Sequence, residues 1–435
     1  MKKIITLCLL LASVFSKSQT TAEISETFLN KMLRSQFDSC IVFFDTSVTS
    51  KLNPGMMQSM WERIPQFVGE YKSYGDIRTE KLDTLEAVLI RCAFEKTKLD
   101  LKLVYNKEKK IVGIFFLPPK SKNTYNLPPY YETSKLYESK LAVKTGTLEM
   151  PGMLCVPNNI TYPPIVILVA GSGPNDKDET IGPNKPLKDI ALGLASNGIA
   201  SLRYDKRTLT HGAKLDMNKT GLNEEVIDDV LSAVKILRAH PLTKESKIIV
   251  AGHSLGAMCA PLIASKSKDV SAIIMLAGPA RPLEDLILEQ FRYIGSLDST
   301  VQDIEKELAP VKQQVALVKD AKALKKAEAK DLPLNLSSFY WQSLKQYDQL
   351  KTAKKVKRPI LVLQGERDYQ VLMTDFNLWK KELEVNPKNK FKSYEKLNHL
   401  FIKGEGKPNP GEYDNQGNVE HKVILDIVEF VKSIN

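Results

Sequence analysis

The sequence predicts an α/β protein whose main sheet is mostly parallel and covered by helices on both faces, preceded by a smaller α+β domain. Short, continuous apolar runs such as residues 165–169 and 248–251 are typical of strands buried on both faces. Amphipathic stretches of helical period lie between such runs, and this alternation favours a parallel sheet. Because 435 residues exceed the usual size of one hydrophobic core, we expect two domains.

Residues 1–18 have the layout of a secretory signal peptide. Two lysines precede an apolar run at residues 4–12, and small residues at Ser16 and Ser18 place the cleavage site after Ser18. The apolar run is too short to span a bilayer stably. Cys8 lies inside this run rather than at the cleavage site, which argues against a lipoprotein. We therefore expect a secreted or periplasmic product.

The charge balance is moderately basic. The full chain has a formal net charge of +11, and loss of the three lysines of the signal peptide leaves +8. The remaining lysines are interleaved with acidic residues, which is typical of a solvated basic surface rather than of a nucleic-acid site. No later apolar run is long enough for a transmembrane helix, so we expect neither a nucleic-acid partner nor an integral membrane segment.

Four cysteines remain after signal removal, and they form no C-x-x-C pair and no Cys/His cluster of metal-ligand spacing. No metal site is therefore predicted. Export permits a disulfide, for which Cys40 and Cys92 are candidates because both fall in the first domain. The alternative is that Cys40, Cys92, Cys155 and Cys259 are all small buried residues.

Residues 19–118 are predicted to form the small α+β domain. Apolar residues at helical spacing and then at alternate positions predict helices at 23–38 and 54–68 and strands at 88–94, 99–103 and 111–117. Helices followed by an antiparallel meander make one α+β unit. The polar, proline-rich stretch at 119–136 is typical of a linker.

Residues 137–435 are predicted to form the α/β domain. A leading antiparallel hairpin is expected at 141–143 and 147–156, and a mostly helical insertion at about 279–355 would cover the carboxyl ends of the strands as a cap. Parallel strands are expected at 165–169, 199–204, 248–251, 270–277, 358–363 and 391–394. Helices are expected at 188–196, 224–239 and 419–431.

The pattern Gly-x-Ser-x-Gly at 252–256 points to chemistry. It follows an apolar strand and precedes small, helix-compatible residues, which is the context of a nucleophile elbow. In such an elbow a strained strand-to-helix turn exposes a serine hydroxyl, and the glycines leave room for neighbouring backbone. Ser254 is therefore the candidate nucleophile.

A serine nucleophile needs a base, and the base needs an anion to fix its tautomer. Of five histidines, only His399 stands just after the last predicted strand. The acid should follow the strand at 358–363, where Glu366 and Asp368 are available. We prefer Asp368 because a glycine ends that strand and lets a carboxylate a few residues later turn inward. The chain order Ser254, Asp368, His399 differs from the orders of chymotrypsin and subtilisin.

The oxyanion that forms on attack needs two N–H donors aimed at it in advance. Leu255, the residue after the nucleophile, would supply one, and Ser172 in the Gly-Ser-Gly loop after the strand at 165–169 would supply the other. The alternative for this loop is a plain tight turn. A phosphate site is disfavoured because no Gly-Lys-Ser/Thr follows and a third glycine is missing.

Residues 137–435 resemble a secreted bacterial branch of the α/β-hydrolase superfamily, near the serine aminopeptidase (S33-type) hydrolases. The resemblance rests on the motifs at 170–176, 202–207, 252–256, 365–368 and 397–401. It implies the α/β-hydrolase fold with a helical cap and a triad of Ser254, Asp368 and His399. Many relatives have a histidine that shapes this loop where this chain has Ala170. The geometry of the loop is therefore the feature in which this chain is expected to differ from them.

The order of elements in residues 19–118 resembles, in layout only, the NTF2- or cystatin-like domains that precede some secreted bacterial hydrolases. One family of such domains has no assigned function. Domains of this kind hold a small ligand, pair with a second copy or serve as a structural appendage. A homodimer formed through this domain is therefore one of three open alternatives.

The leading hypothesis is a secreted serine hydrolase that cleaves small-molecule carboxylic esters through an acyl-enzyme, without cofactor or metal. A peptidase acting on N-terminal residues is the first alternative, since Glu284, Asp285 and Glu289 of the cap could hold a substrate ammonium. A non-catalytic envelope binding protein is the second. The cap aromatics either line an acyl pocket or pack the cap onto the body: Phe291, Tyr293, Phe339, Tyr340, Trp341 and Tyr347.

Overall fold

The computed structural model describes residues 19–49, 52–82, 84–95, 97–117, 124–298 and 301–434. The chain divides into two compact units, Met1–Lys120 and Ser121–Asn435. The predicted signal peptide and the beginning of the predicted linker lie outside the described residues. None of the described helices is long and apolar enough to span a bilayer.

The first unit packs helices against one face of a four-stranded antiparallel sheet. The helices are α1 (Thr21–Leu33), α2 (Phe37–Cys40), α3 (Thr46–Thr49) and α4 (Pro54–Val68). The strands are β1 (Tyr71–Leu82), β2 (Leu85–Phe94), β3 (Lys98–Tyr105) and β4 (Ile111–Leu117), paired in that order. Side chains from both layers, including Phe28, Met32, Ile90 and Leu101, form one apolar core.

Two details of this unit differ from the prediction. The helix predicted at 23–38 ends at Leu33, because Ser35 takes a left-handed conformation (φ 56°) and Phe37 begins a second, short helix. The prediction also lacks β1, in which no side chain is fully buried, so no apolar alternation marks it.

All four cysteines of the described chain are free and buried. Cys40 Sγ lies against the carbonyl of Phe28 and Cys92 Sγ against that of Ile90, and no disulfide joins the two. Burial raises the pKa of the Cys40 thiol to about 11 and that of Cys92 to about 12. The cysteines are therefore small buried residues, and the candidate disulfide between Cys40 and Cys92 is wrong for this structure.

Among its described residues, the second unit has ten strands, of which eight form one sheet. The strands are β5 (Leu136–Lys140), β6 (Val143–Thr145), β7 (Leu148–Met150), β8 (Gly152–Pro157), β9 (Ile165–Val169), β10 (Ala200–Tyr204), β11 (Ile248–His253), β12 (Val270–Leu276), β13 (Ile360–Gly365) and β14 (Lys390–Tyr394). The sheet order is β14-β13-β12-β11-β9-β10-β8-β5. All pairs from β14 to β10 are parallel, whereas the pairs β10–β8 and β8–β5 are antiparallel. The predicted, mostly parallel sheet is confirmed.

The leading hairpin predicted at 141–143 and 147–156 is divided in the structure. β6 and β7 pair only with each other, and Pro151, which has no N–H to donate to a ladder, separates β7 from β8. The antiparallel partners of β8 are β10 and the unpredicted edge strand β5.

Helices cover both faces of the sheet. They are α5 (Pro186–Ser196), α6 (Arg207–Thr210), α7 (Asp228–Ala239), α8 (Leu255–Lys266), the cap helices α9 (Leu283–Gly295), α10 (Ile304–Glu307), α11 (Ala309–Lys319), α12 (Ala321–Leu324), α13 (Ser338–Lys345) and α14 (Gln349–Lys355), and then α15 (Met373–Leu383) and α16 (His421–Lys432). Successive side chains of β11 enter different cores. Ile248 and Val250 pack with α7, α8, α15 and the cap, whereas Ile249 and Ala251 pack with α5 and α16. The α/β-hydrolase architecture with a helical cap follows from this arrangement.

Candidate active site

Ser254 lies between the end of β11 at His253 and the start of α8 at Leu255. Its φ of 52° and ψ of −116° are a strained conformation for a residue with a side chain. The junction holds it there, since its N–H donates to the carbonyl of Leu276 at 2.9 Å and its carbonyl accepts from the N–H of Met258. The residue is partly exposed, as a nucleophile must be.

Close backbone approach requires both glycines of the elbow. A Cβ on Gly252 would lie 2.1 Å from the backbone of Gly256, and a Cβ on Gly256 would lie 2.4 Å from the carbonyl oxygen of Val169. Val169 leads into the loop that carries Ser172. The missing side chain at Gly256 thus lets the first turn of α8 touch that loop.

The loops after β13 and β14 bring Asp368 to His399. Asp368 Oδ2 accepts a hydrogen bond from His399 Nδ1 at 2.6 Å, and both residues are buried. The same carboxylate accepts from the N–H groups of Gln370 and Val371 and from the side-chain amide of Gln364. A carboxylate surrounded by four donors fixes the imidazole with Nδ1 protonated, so Nε2 is free to accept a proton.

The other acid that the sequence offers, Glu366, takes no part in this arrangement. It is exposed and accepts from the Ser393 hydroxyl at 2.7 Å. Gly365 lies where the two loops touch, because a Cβ there would be 2.4 Å from the carbonyl oxygen of Leu397. Only Asp368 of the two candidates therefore contacts the histidine.

No hydrogen bond joins Ser254 to His399 among the described residues, although the residue before Ser254 contacts His399. The Ser254 hydroxyl has no hydrogen-bond partner among the described residues. The ring of the adjacent His253 lies 4.6 Å from the ring of His399, and His253 Nε2 donates to the His399 carbonyl at 2.9 Å. In hydrolases without substrate the serine–histidine contact is often long and shortens when substrate binds.

The N–H groups of Ser172 and Leu255, predicted to form the oxyanion hole, are both free. Neither donates to another described residue. Gly171 brings the Ser172 loop against Ser254, since a Cβ on Gly171 would lie 3.1 Å from the Cβ of Ser254. Leu255 begins α8, where the helix dipole favours negative charge. Two free donors beside a serine are what a tetrahedral oxyanion requires.

A buried ion pair behind the site was not predicted from the sequence. Glu179 Oε1 accepts from the N–H of Gly171 at 2.7 Å and from His253 Nδ1 at 2.9 Å. His253 Nε2 donates to a backbone carbonyl, and an ionised Glu179 at Nδ1 favours a second proton there, which makes the ring a cation. Burial acts to lower the pKa of His253, but the charge and hydrogen bond of Glu179 outweigh it and leave the pKa raised. The pKa of Glu179 is lowered, because the His253 cation and the Gly171 N–H outweigh its burial.

The three cap carboxylates that could hold a substrate ammonium are already paired with basic side chains. The pairs are Glu284 with Lys345, Asp285 with Lys319 and Glu289 with Arg281, at 3.2, 2.6 and 2.7 Å. Among the described residues, no group of three or more His, Cys, Asp or Glu side chains is placed to hold a metal ion.

The cap aromatics divide between packing and exposure. Those that are buried or half-buried are Tyr293, Tyr340, Trp341 and Tyr347. Tyr347 ties the cap to the body, because its hydroxyl donates to the carbonyl of Met258 in α8 at 2.7 Å. Phe291 and Phe339 are 39% and 42% exposed.

Two family models match the chain. Residues 185–405 match the family described as serine aminopeptidase, S33, and residues 25–114 match one described as a protein of unknown function (DUF3887). The first match includes Ser254, Asp368 and His399 and begins after Ser172.

Similar proteins include esterases. The chain is 34% identical over 409 residues to the esterase EstD of Thermotoga maritima, which is 93% of each chain. It is 29% identical over 123 residues to the polyketide transferase ATR5 of Stachybotrys chlorohalonatus, 28% of this chain and 40% of that protein. Among solved structures, an esterase of Pyrococcus furiosus is 18% identical and aligns with a TM-score of 0.45 over 73% of this chain and 98% of that chain.

Proposed function

Because this chain belongs to the serine aminopeptidase S33 family of α/β-hydrolases, we propose that it is a serine hydrolase that cleaves carboxylic esters through an acyl-enzyme. Ser254 is the nucleophile, His399 the general base and acid, and Asp368 the anion that holds His399 in the required tautomer. The N–H groups of Ser172 and Leu255 stabilise the oxyanion. The observation that carries the proposal is the buried 2.6 Å hydrogen bond between His399 Nδ1 and Asp368 Oδ2, beside a serine in a strained elbow.

The reaction has two halves, and His399 Nε2 holds the proton between the steps of each. In acylation, Ser254 Oγ bonds to the ester carbonyl carbon while its proton passes to His399. The bond to the alcohol oxygen then breaks, and the alcohol leaves with that proton. In deacylation, water gives a proton to His399 and attacks the acyl carbon, and Ser254 recovers its proton as the carboxylic acid departs.

An ester is the better supported substrate class. The relative that spans almost the whole chain, EstD, is an esterase. A peptidase that acts on N-terminal residues would use cap carboxylates to hold the substrate ammonium, and Glu284, Asp285 and Glu289 each already pair with a lysine or arginine. Family membership and this relative also set aside the non-catalytic binding protein.

A comparison of ester and amide substrates tests this proposal. The mature protein should hydrolyse p-nitrophenyl esters of short acids, and Ser254→Ala should remove that activity. Ser265→Ala is the matched control, since Ser265 lies exposed near the end of the same helix and donates only to the carbonyl of Leu262. Faster cleavage of aminoacyl p-nitroanilides than of esters would contradict the substrate class, and full activity in Ser254→Ala would contradict the nucleophile.

We also propose that the protein is exported, because residues 1–18 have the lysines, apolar run and small residues of a signal peptide. Expression of the full chain in a Gram-negative host, followed by cell fractionation and amino-terminal sequencing, tests this. The expected product begins at Gln19 and lies outside the cytoplasm. A cytoplasmic product that keeps its first residues would contradict export.

A further inference from the structure

The carbonyl group of Gly171 accepts a hydrogen bond from a buried lysine. Lys206 Nζ donates to the Gly171 oxygen at 2.7 Å and to Glu225 Oε1 at 2.6 Å. Lys206 and Glu225 are 4% and 6% exposed. A lysine is almost never buried to this extent unless it is paired, so the burial of Lys206 depends on these two contacts.

This contact fixes the direction of the Ser172 N–H. The Gly171 carbonyl and the Ser172 N–H belong to one peptide unit, which is planar and trans, so the two groups point in opposite directions. An ammonium that holds the carbonyl on one side therefore aims the N–H to the other side. Gly171 itself lies against the nucleophile, because a Cβ added to it would lie 3.1 Å from the Cβ of Ser254.

We propose that Lys206 is a positioning residue for the oxyanion hole: it aims the Ser172 N–H at the oxyanion by holding the Gly171 carbonyl. This inference rests on the proposed function. Hydrogen bonds along a chain polarise one another, so a cation at the carbonyl also makes the N–H of the same peptide a stronger donor. Glu225 neutralises the lysine, which lets the charge be buried.

Other contacts hold the remaining sides of the same loop. Glu179 accepts from the N–H of Gly171 at 2.7 Å, so both polar groups of Gly171 end on buried charged side chains. The Asn175 side-chain amide also donates to the Gly171 carbonyl, at the longer distance of 3.2 Å. Because Asn175 still donates to the Gly171 carbonyl when Lys206 is replaced, we expect the loop to keep its position. The Ser172 N–H should then no longer point in the direction that Lys206 fixes.

The neighbouring residue provides a matched control. Arg207 follows Lys206 and pairs with Asp229, one helical turn after Glu225, with Arg207 Nε donating at 2.9 Å. This second pair is equally buried, at 6% and 1% exposure. Neither side chain of this pair hydrogen-bonds to the described residues of the oxyanion loop. Replacing the pair therefore measures only the effect of losing a buried ion pair.

The test compares two double variants of the full mature chain. Lys206→Met/Glu225→Gln removes the lysine without leaving an unpaired buried charge, and Arg207→Met/Asp229→Asn does the same for the control pair. Rates are normalised to the Ser254 sites titrated with a fluorophosphonate, so that unfolded protein is not counted. An alkyl boronic acid serves as the second probe, because its tetrahedral adduct on serine places an oxygen in the oxyanion position.

We expect the Lys206 double variant to lose about tenfold or more in kcat, with KM close to that of the parent, since loss of a whole oxyanion donor costs about 10²–10³. The boronic acid should bind more weakly by the same factor, whereas the control variant should match the parent in both. Lys206→Arg, which keeps the ion pair but moves the donor, should also lower kcat.

Equal kcat and equal boronic acid affinity in the two double variants would overturn the inference. A change in KM as large as the fall in kcat would also overturn it. Failure of the parent protein itself to label at Ser254 would instead overturn the proposed function, so the two failures are distinguishable.

Discussion

Replacing Asp368 by asparagine is the substitution whose effect the structure defines most completely. The two carboxylate oxygens accept from four N–H groups, those of His399, Gln364, Gln370 and Val371. The side-chain oxygen of an asparagine can replace the carboxylate oxygen Oδ1, which accepts from the backbone N–H groups of Gln370 and Val371. Its NH2 group must then face the donors of Gln364 and His399. The imidazole can relieve this conflict only by moving its proton from Nδ1 to Nε2, where it can no longer accept the proton of Ser254.

We expect Asp368→Asn to lower kcat by about 10⁴-fold, the cost of the wrong histidine tautomer in a serine hydrolase triad, with the fold retained. The assay is steady-state hydrolysis of p-nitrophenyl butyrate, with thermal unfolding to verify folding. Glu366→Gln is the control, because this exposed acid two residues earlier contacts only the Ser393 hydroxyl. Parent-level activity in Asp368→Asn, or a comparable loss in Glu366→Gln, would refute the assignment of the acid.

Three further predictions concern packing, pH and the cap. Gly256→Ala places a Cβ 2.4 Å from a backbone carbonyl oxygen, so it should lower both the melting temperature and the activity. Gly212→Ala is the control, because a Cβ there has no heavy atom within 4 Å and should change neither quantity. Calorimetry and ester assays measure the two. Burial raises the pKa of Asp189 from 3.8 to about 6. The contribution of Asp189 to the free energy of unfolding is therefore fully present below pH 3.8 and is lost as pH rises through 6. The loss amounts to about 3 kcal/mol. Urea unfolding across that range should show the parent losing about this much stability relative to Asp189→Asn, because the other titrating groups are common to both proteins. Glu289→Gln should leave ester hydrolysis unchanged because Arg281 already occupies that carboxylate, and a selective loss with amine-bearing substrates would favour the peptidase.

The sequence was sufficient for the elements whose signal is local. Five consecutive residues specify the elbow at Ser254, and the apolar runs of β9 and β11 specify buried parallel strands. Asp368 and His399 could be placed because each follows a strand end in a fold whose strand ends converge. The edge strands β1 and β5 could not be predicted from the sequence, because neither has the alternation of apolar residues that distinguishes a strand from a loop.

Glu179 and Lys206 were given no role from the sequence for a different reason, although Lys206 lies in the motif at 202–207. A charged residue in a loop is ordinarily solvent-exposed, and nothing in the residues around these two marks them as buried. Their partners, His253 and Glu225, lie 74 and 19 residues away along the chain. Only the folded chain shows that both side chains end on Gly171. Polar contacts that aim a backbone group thus depend on tertiary structure, whereas the elbow motif does not.

The most direct test of the central claim is the site of covalent labelling. The purified protein is treated with a fluorophosphonate and digested, and the modified peptide is identified by mass spectrometry. We predict one adduct per chain, on Ser254, with labelling lost in Ser254→Ala and strongly slowed in His399→Gln. An adduct on another residue, or no adduct in a protein that hydrolyses esters, would contradict the account.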